Sequence, residues 1–476
     1  MTLRGAVKAL RIQSCAICDT VDAVILPLTS SNGTIEGGAF SWSGAGLLRA
    51  SMLLCFFGLF FLSLAMVSTH SVAFHVRYHD AFSASAATAL LLTACIAPAF
   101  QFAKFSFGYF VSFYLFTMTA GYFWLNRFSE LEYDHRTALI SAIVSIILFL
   151  VPALLIRPQT NRATTIPLKT FNHLPACILV FAIFTLAISS LSGFHFVGLS
   201  EMYKYRTELA HPRAVQYLLG NISGALIPFA FACLLAKRRW LMLFALFSVS
   251  AMYYAVTLTK VSLFLPFYLV FIALLSMMFE AKISAVLSLL IPLLVGLFAM
   301  IFLPDVSGQT FGLFSLRLLA IPSISLEHYN AFFANHPLTH FCQISIVKRF
   351  VACPYSDQLG VVFANEYKLG NMNASLFATE GVASVGPVFA PLSALVCGLV
   401  IAVGNKASAG LPDRFVLISA SVIPQILLNV PLSTTLLSNG LGLLFLLWHV
   451  TPRSYFDKTA RCSHELTRGP DREGRR

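Results

Sequence analysis

The hydrophobic positions of this chain fall in long unbroken runs separated by short polar breaks. Twelve runs of about 17–23 residues have the length a bilayer core demands: 45–67, 82–100, 105–125, 138–156, 175–194, 214–236, 240–256, 263–279, 283–303, 382–403, 415–430 and 434–450. Continuous runs predict helices, because backbone in lipid must satisfy its hydrogen bonds within its own segment. Strands of a membrane barrel would alternate instead. The expected fold is an all-α, polytopic transmembrane helical bundle of about twelve spans. One interval breaks the rhythm. Residues 304–381 are polar and gather Arg317, Glu327, His328, Tyr329, His336, His340, Lys348, Arg349, Asp357, Glu366, Lys368 and Glu380. The chain therefore divides into a tail (1–45), nine spans (46–303), a large loop (304–381), three spans (382–450) and a basic tail (451–476).

Composition sharpens this reading. Of the 476 residues 58% are hydrophobic and 11% charged, against about 25% charged in soluble domains. With so few charges, a polar segment of that size is expected to hold the working chemistry where water or headgroups reach it. The net charge of +12 need not indicate nucleic acid, since basic cytoplasmic loops hold a membrane chain in orientation. With the N-terminus in the cytoplasm, 21 of the 32 Lys and Arg fall inside, Lys237, Arg238 and Arg239 among them. Both termini are then cytoplasmic and the large loop lies outside. The bases left outside run against the positive-inside tendency, which suggests a substrate that carries negative charge.

Candidate chemistry follows from those outside residues. The stretch 193–213, GFHFVGLSEMYKYRTELAHPR, mixes aromatics with Lys204, Arg206 and Arg213. Arginines give bidentate hydrogen bonds to phosphate oxygens, either on a substrate or on lipid headgroups. Lys260 stands in a very short turn and either snorkels to the interface or joins the same anion site. Arg317 opens RLLAIPSISLEHYNAFFANHP, and the apolar spacing before it suggests a short amphipathic helix on the membrane surface. His336 and His340 have i, i+4 spacing, but no acidic partner completes a metal signature, and no metal is expected. Glu380, in GNMNASLFATEGVASVG, is either a general base or a helix N-terminal acid. Cys342 and Cys353 share the loop, and outside the cytoplasm they would pair. Cys15 and Cys18 lack the second ligand pair of a zinc site. Walker A, G-x-G-x-x-G and G-x-S-x-G sequences are absent, which removes support for ATP-driven transport and serine hydrolysis.

The order of these segments resembles the Wzy-type O-antigen polymerases, also called oligosaccharide repeat unit polymerases. YKYRTELAHPR precedes a span that ends in a basic cluster; Lys260 follows in a short turn. RLLAIPSISLEHYNAFFANHPLTH opens the large loop, GNMNASLFATEGVASVG closes it, and PLSTTLLSNGLGLLFLL ends the last pair. The resemblance covers residues 174–450 in pattern; over the first 170 only the topology agrees. It implies a multi-pass protein of the bacterial inner membrane. Such an enzyme transfers a growing glycan from undecaprenyl diphosphate onto a new lipid-linked repeat unit on the periplasmic side, without a nucleotide sugar or other cofactor. It further implies that Arg206, Arg213, Lys260, Arg317, Tyr329 and Asn373 bind substrate and that Glu380 or His340 acts as base. Expected partners are the lipid-linked oligosaccharide, membrane lipid, a chain-length regulator and a flippase, with no nucleic acid. An O-antigen ligase is the nearest rival within the same fold, and a flippase the rival from another class; short loops on both sides would favour the flippase. A transferase using polyprenyl monophosphate sugars usually carries paired acids in the first external loop, where this chain has only Asp80.

Overall fold

The computed structural model describes residues 44–69, 75–78, 82–156, 166–198, 201–206, 209, 211–302, 320–344, 347–368 and 372–457. The tail with Cys15 and Cys18, Asp80, Arg317 and most of the basic C-terminal tail lie outside the described residues. Apart from Gly44–Leu47, the first turn of α1, the described residues belong to the unit Leu48–Arg476. They are helical, with one isolated bridge between Val76 and Ser129. Among them, nine helices are long and apolar enough to cross a membrane, as expected of a multi-pass membrane protein. These are α1 (Gly44–Thr69), α2 (Phe82–Phe102), α4 (His135–Leu155), α5 (Leu168–Ser190), α6 (Arg213–Ala236), α7 (Trp240–Thr257), α8 (Lys260–Met278), α9 (Ala281–Phe302) and α12 (Phe377–Ala407). The others are α3 (Phe107–Phe128), α10 (Ile321–Asn335), α11 (Leu359–Tyr367), α13 (Asp413–Ser419), α14 (Ile423–Leu427), α15 (Leu432–Leu437) and α16 (Leu441–Val450).

α3 is the axis of the unit. Every one of its residues except Arg127 is buried. Its Tyr, Trp, Ser, Thr, Gly and Asn residues make it less apolar than the nine, and its neighbours shield it on all sides. Asn405 of α12 ties three helices together: its Oδ1 accepts from the Gly108 N–H (2.6 Å) and its Nδ2 donates to the Ala153 carbonyl of α4 (2.8 Å). A side chain at Gly108 would collide with that same carbonyl, and one at Gly398 with the Phe149 carbonyl. Small residues at these crossings let the backbones approach, as membrane helices require when no hydrophobic effect drives them together.

The helices alternate in direction, so their ends form two sets. At one end Arg49 pairs with Glu280 (2.6 Å), Lys282 reaches the Gln101 carbonyl, and the Tyr455 hydroxyl donates to the Cys233 carbonyl. At the other, here called the loop end, the 75–78 segment joins the α3–α4 turn, and residues 193–198 cap α7 through His195 N–H to the Ala255 carbonyl.

Two parts of the chain differ from the sequence expectation. The stretch 321–335, expected as part of the large polar loop, is instead a buried helix, while the surface helix expected before Arg317 lies outside the described residues. Pro322 through Phe333 are all shielded, and the Ser323 hydroxyl donates to the Met118 carbonyl halfway along α3. Its polar residues made it read as a loop, yet it is packed on every face. The last two apolar runs come out as four short helices. Pro424 and Pro431 interrupt them, and Gly440, at φ +79°, turns the chain into α16. Hydropathy does not register such breaks, and they are tolerated because protein, not lipid, surrounds them.

Candidate functional site

The polar segment after α10 is an organised cap. Tyr329 stacks on Phe363 at 4.2 Å and Phe332 on His336 at 3.9 Å. The Tyr355 hydroxyl donates to the Pro337 carbonyl, and Thr339 N–H donates to the Ala383 carbonyl, fixing the turn against α12. Cys342 and Cys353 form the expected disulfide. His336 and His340 do not share a helix face. α10 ends at Asn335, His336 is extended, and His340 has a left-handed backbone with φ 46°. Among the described residues no group of three or more His, Cys, Asp or Glu is placed to hold a metal.

Glu380 lies in a π-helical turn, Phe377–Ala383, at the start of α12 and is 7% exposed. Its Oε1 accepts from both the N–H and the hydroxyl of Ser433 at 2.9 Å, and its Oε2 from the Thr379 hydroxyl at 2.7 Å. The carboxylate thus caps the N-terminus of α15 and clamps it to α12. Burial, with the Glu380 charge added to it, raises the Tyr329 phenol. Asn373 is exposed, and its side chain lies so close over Gly360 that a Cβ there would collide with Oδ1. Beyond the π turn, Gly386 at φ +75° kinks α12.

Arg206, Arg213 and Lys260 gather at a different place on the loop end. Arg206 ends a short helical turn, Met202–Arg206; Arg213 opens α6, and Lys260 opens α8 after the Thr259 cap. Both arginines are exposed. The scaffold beneath them is a small apolar cluster of Met202, Tyr254 and Leu258, with the Tyr254 hydroxyl donating to the Val197 carbonyl and His211 Nε2 donating to the Val256 carbonyl (2.7 Å). Lys204 lies over the Tyr205 ring. The arrangement is a cationic, aromatic rim, suited to phosphate oxygens by charge and geometry.

The structure adds two residues to which sequence reasoning gave no role. Glu327 and His328 on α10 are both 0% exposed. Neither Glu327 oxygen, nor His328 Nε2, has a hydrogen-bond partner among the described residues. Burial pushes the Glu327 carboxyl up to about 8, and the Ser129 hydroxyl nearby, outside hydrogen-bonding geometry, offsets little of it. Burial pushes His328 down to about 4. Only the apolar residues around it, Ile324, Leu326 and Ala331, could have signalled a buried Glu327 in the sequence.

Comparison with known proteins found no matching family model, no matching curated protein and no matching solved structure.

Proposed function

We propose that this chain is an integral membrane glycan polymerase of the bacterial inner membrane, joining undecaprenyl-diphosphate-linked repeat units on the periplasmic side. In this reading the twelve apolar runs cross the membrane, both termini are cytoplasmic, and the loop end faces the periplasm. What supports it most is that three features share the loop end: the cationic rim of Arg206, Arg213 and Lys260, the polar cap that follows α10, and its disulfide. A disulfide belongs in an oxidising compartment, and a fixed guanidinium stabilises the charge that a diphosphate leaving group develops. Arg317, outside the described residues, would add to that rim. The acceptor hydroxyl gives its proton to His340, exposed beside the disulfide. Glu380 then holds α12 and α15 in place and faces Tyr329. No cofactor takes part. A chain-length regulator and a flippase are the expected protein partners.

The deciding experiment is a deletion strain. Surface glycan stopped at one repeat unit supports a polymerase; loss of all transfer points to a ligase, and precursor trapped in the cytoplasmic leaflet to a flippase. Arg206→Ala and Arg317→Ala are expected to abolish long chains while the protein still inserts. Full-length glycan from either variant removes that residue from the phosphate site.

A further inference from the structure

Glu327 lies where an ionised carboxylate is hardest to keep. Its helix, α10, is packed against α3, α11 and the start of α12, and its side chain is wholly shielded. Both oxygens lack partners, although hydroxyls surround them: Tyr122 of α3 and Tyr133 of the α3–α4 turn both feel its charge, and Ser129 lies beside it. Those tyrosines belong to a buried network. Asn126 Nδ2 donates to the Tyr122 and Tyr133 hydroxyls (3.3 and 3.2 Å) and to the His135 carbonyl (3.2 Å). No Lys or Arg is among the groups that perturb Glu327. An uncompensated buried anion costs several kcal/mol, and such a group takes a proton instead.

His328 is its complement. Its Nδ1 donates to the Ile324 carbonyl at 3.0 Å, which places the ring proton there and leaves Nε2 as an open acceptor. The half-buried His75 ring is 5.8 Å from the His328 ring, and Tyr367 meets it edge-on at 4.7 Å. The titratable groups facing this pair are therefore Tyr122 and Tyr133 on the Glu327 side, and His75 and Tyr367 on the His328 side. Glu380 faces the next residue, Tyr329.

We infer that the Glu327 carboxyl is a proton-binding site, loaded with a proton from the loop end, so that α10 seats against α3 only while that proton is present. The ligand is the proton itself: Glu327 gains an O–H, and solvent at the loop end supplies the proton. This site is separate from the cationic rim and does not depend on the reaction proposed there.

The test uses the full-length protein in lipid nanodiscs, followed by infrared difference spectroscopy across a pH titration from about 6 to about 10. The expected result is a protonated-carboxyl C=O band at the acid end that fades as pH rises and is missing in Glu327→Gln. Amide protection in 321–335, corrected for the base-catalysed rise in intrinsic exchange, should fall at the alkaline end in wild type and hold in Glu327→Gln. A band unchanged by Glu327→Gln, or no such band in wild type at the acid end, overturns the proposal. If Glu327→Gln fails to accumulate, Ser129→Ala serves instead. Removing that hydroxyl should move the midpoint of the wild-type band upward, and an unmoved midpoint overturns the proposal equally.

Discussion

Glu327 on α10 and Glu380 on α12 flank the same polar cap, and both are buried. Glu380 receives three hydrogen bonds, two of them from Ser433, and so fixes one helix to another. Glu327 receives none from the described residues, although hydroxyls lie around it. The contrast shows that burial alone does not decide what a carboxylate does. With donors the charged form becomes a joint; without them the same group becomes a proton store.

Removing the two groups separates these roles. Glu380→Ala strips Ser433 and Thr379 of a charged acceptor and should cost roughly 2–4 kcal/mol, read as a lower apparent Tm in detergent. Glu327→Gln keeps the neutral shape and removes the ionisation that favours the unfolded chain, so it should raise Tm at neutral pH. Equal losses from both variants would erase the distinction. The disulfide lies between the two helices in sequence. Cys353→Ser, which opens a loop of 11 residues, should cost about 3 kcal/mol, seen as faster proteolysis of the 336–358 region.

The pH dependence comes next in size. The Glu327 carboxyl is raised from 4.5 to about 8, so the folded state binds the extra proton across that window. Its contribution to stability is full below 4.5 and is lost as pH rises through 8. His328 is lowered from 6.5 to about 4, so its contribution grows with pH between those values. The two slopes oppose one another between 4.5 and 6.5. Above 6.5 only the Glu327 loss remains, about 2 kcal/mol by pH 8. A denaturant titration at several pH values should show a plateau and then this fall, and Glu327→Gln should flatten the fall. The smallest effect is Ser433→Ala, about 1 kcal/mol; it removes one of the two Ser433 bonds and leaves its N–H in place.

Much of the architecture was legible in the sequence, because lipid demands long apolar helices and the runs supply them. The places of α1 to α9 and α12 follow directly. α10 did not read as buried because Ser323, Ser325, Glu327, His328 and Asn330 are polar, and hydropathy cannot tell a solvated loop from a helix enclosed by protein. The breaks at Pro424 and Gly440 were hidden for the reverse reason, inside runs that read as single continuous spans. The Cys342–Cys353 pair was legible from two cysteines in one polar segment. The i, i+4 spacing of His336 and His340 misled, because α10 ends between Asn335 and His336. Glu380 stood out in the sequence for standing just before a membrane run, and its partner Ser433, 53 residues further on, could not be seen there.

The enclosure of α3 bears on how the protein is made. Its Gly108 N–H is met by Asn405, 297 residues further along, and its Met118 carbonyl by Ser323, 205 residues further along. A ribosome finishes α3 long before either partner exists. The helix least suited to bare lipid must therefore wait beside its early neighbours until α10 and α12 emerge, and truncation before Ser323 should leave it exposed to quality-control proteases.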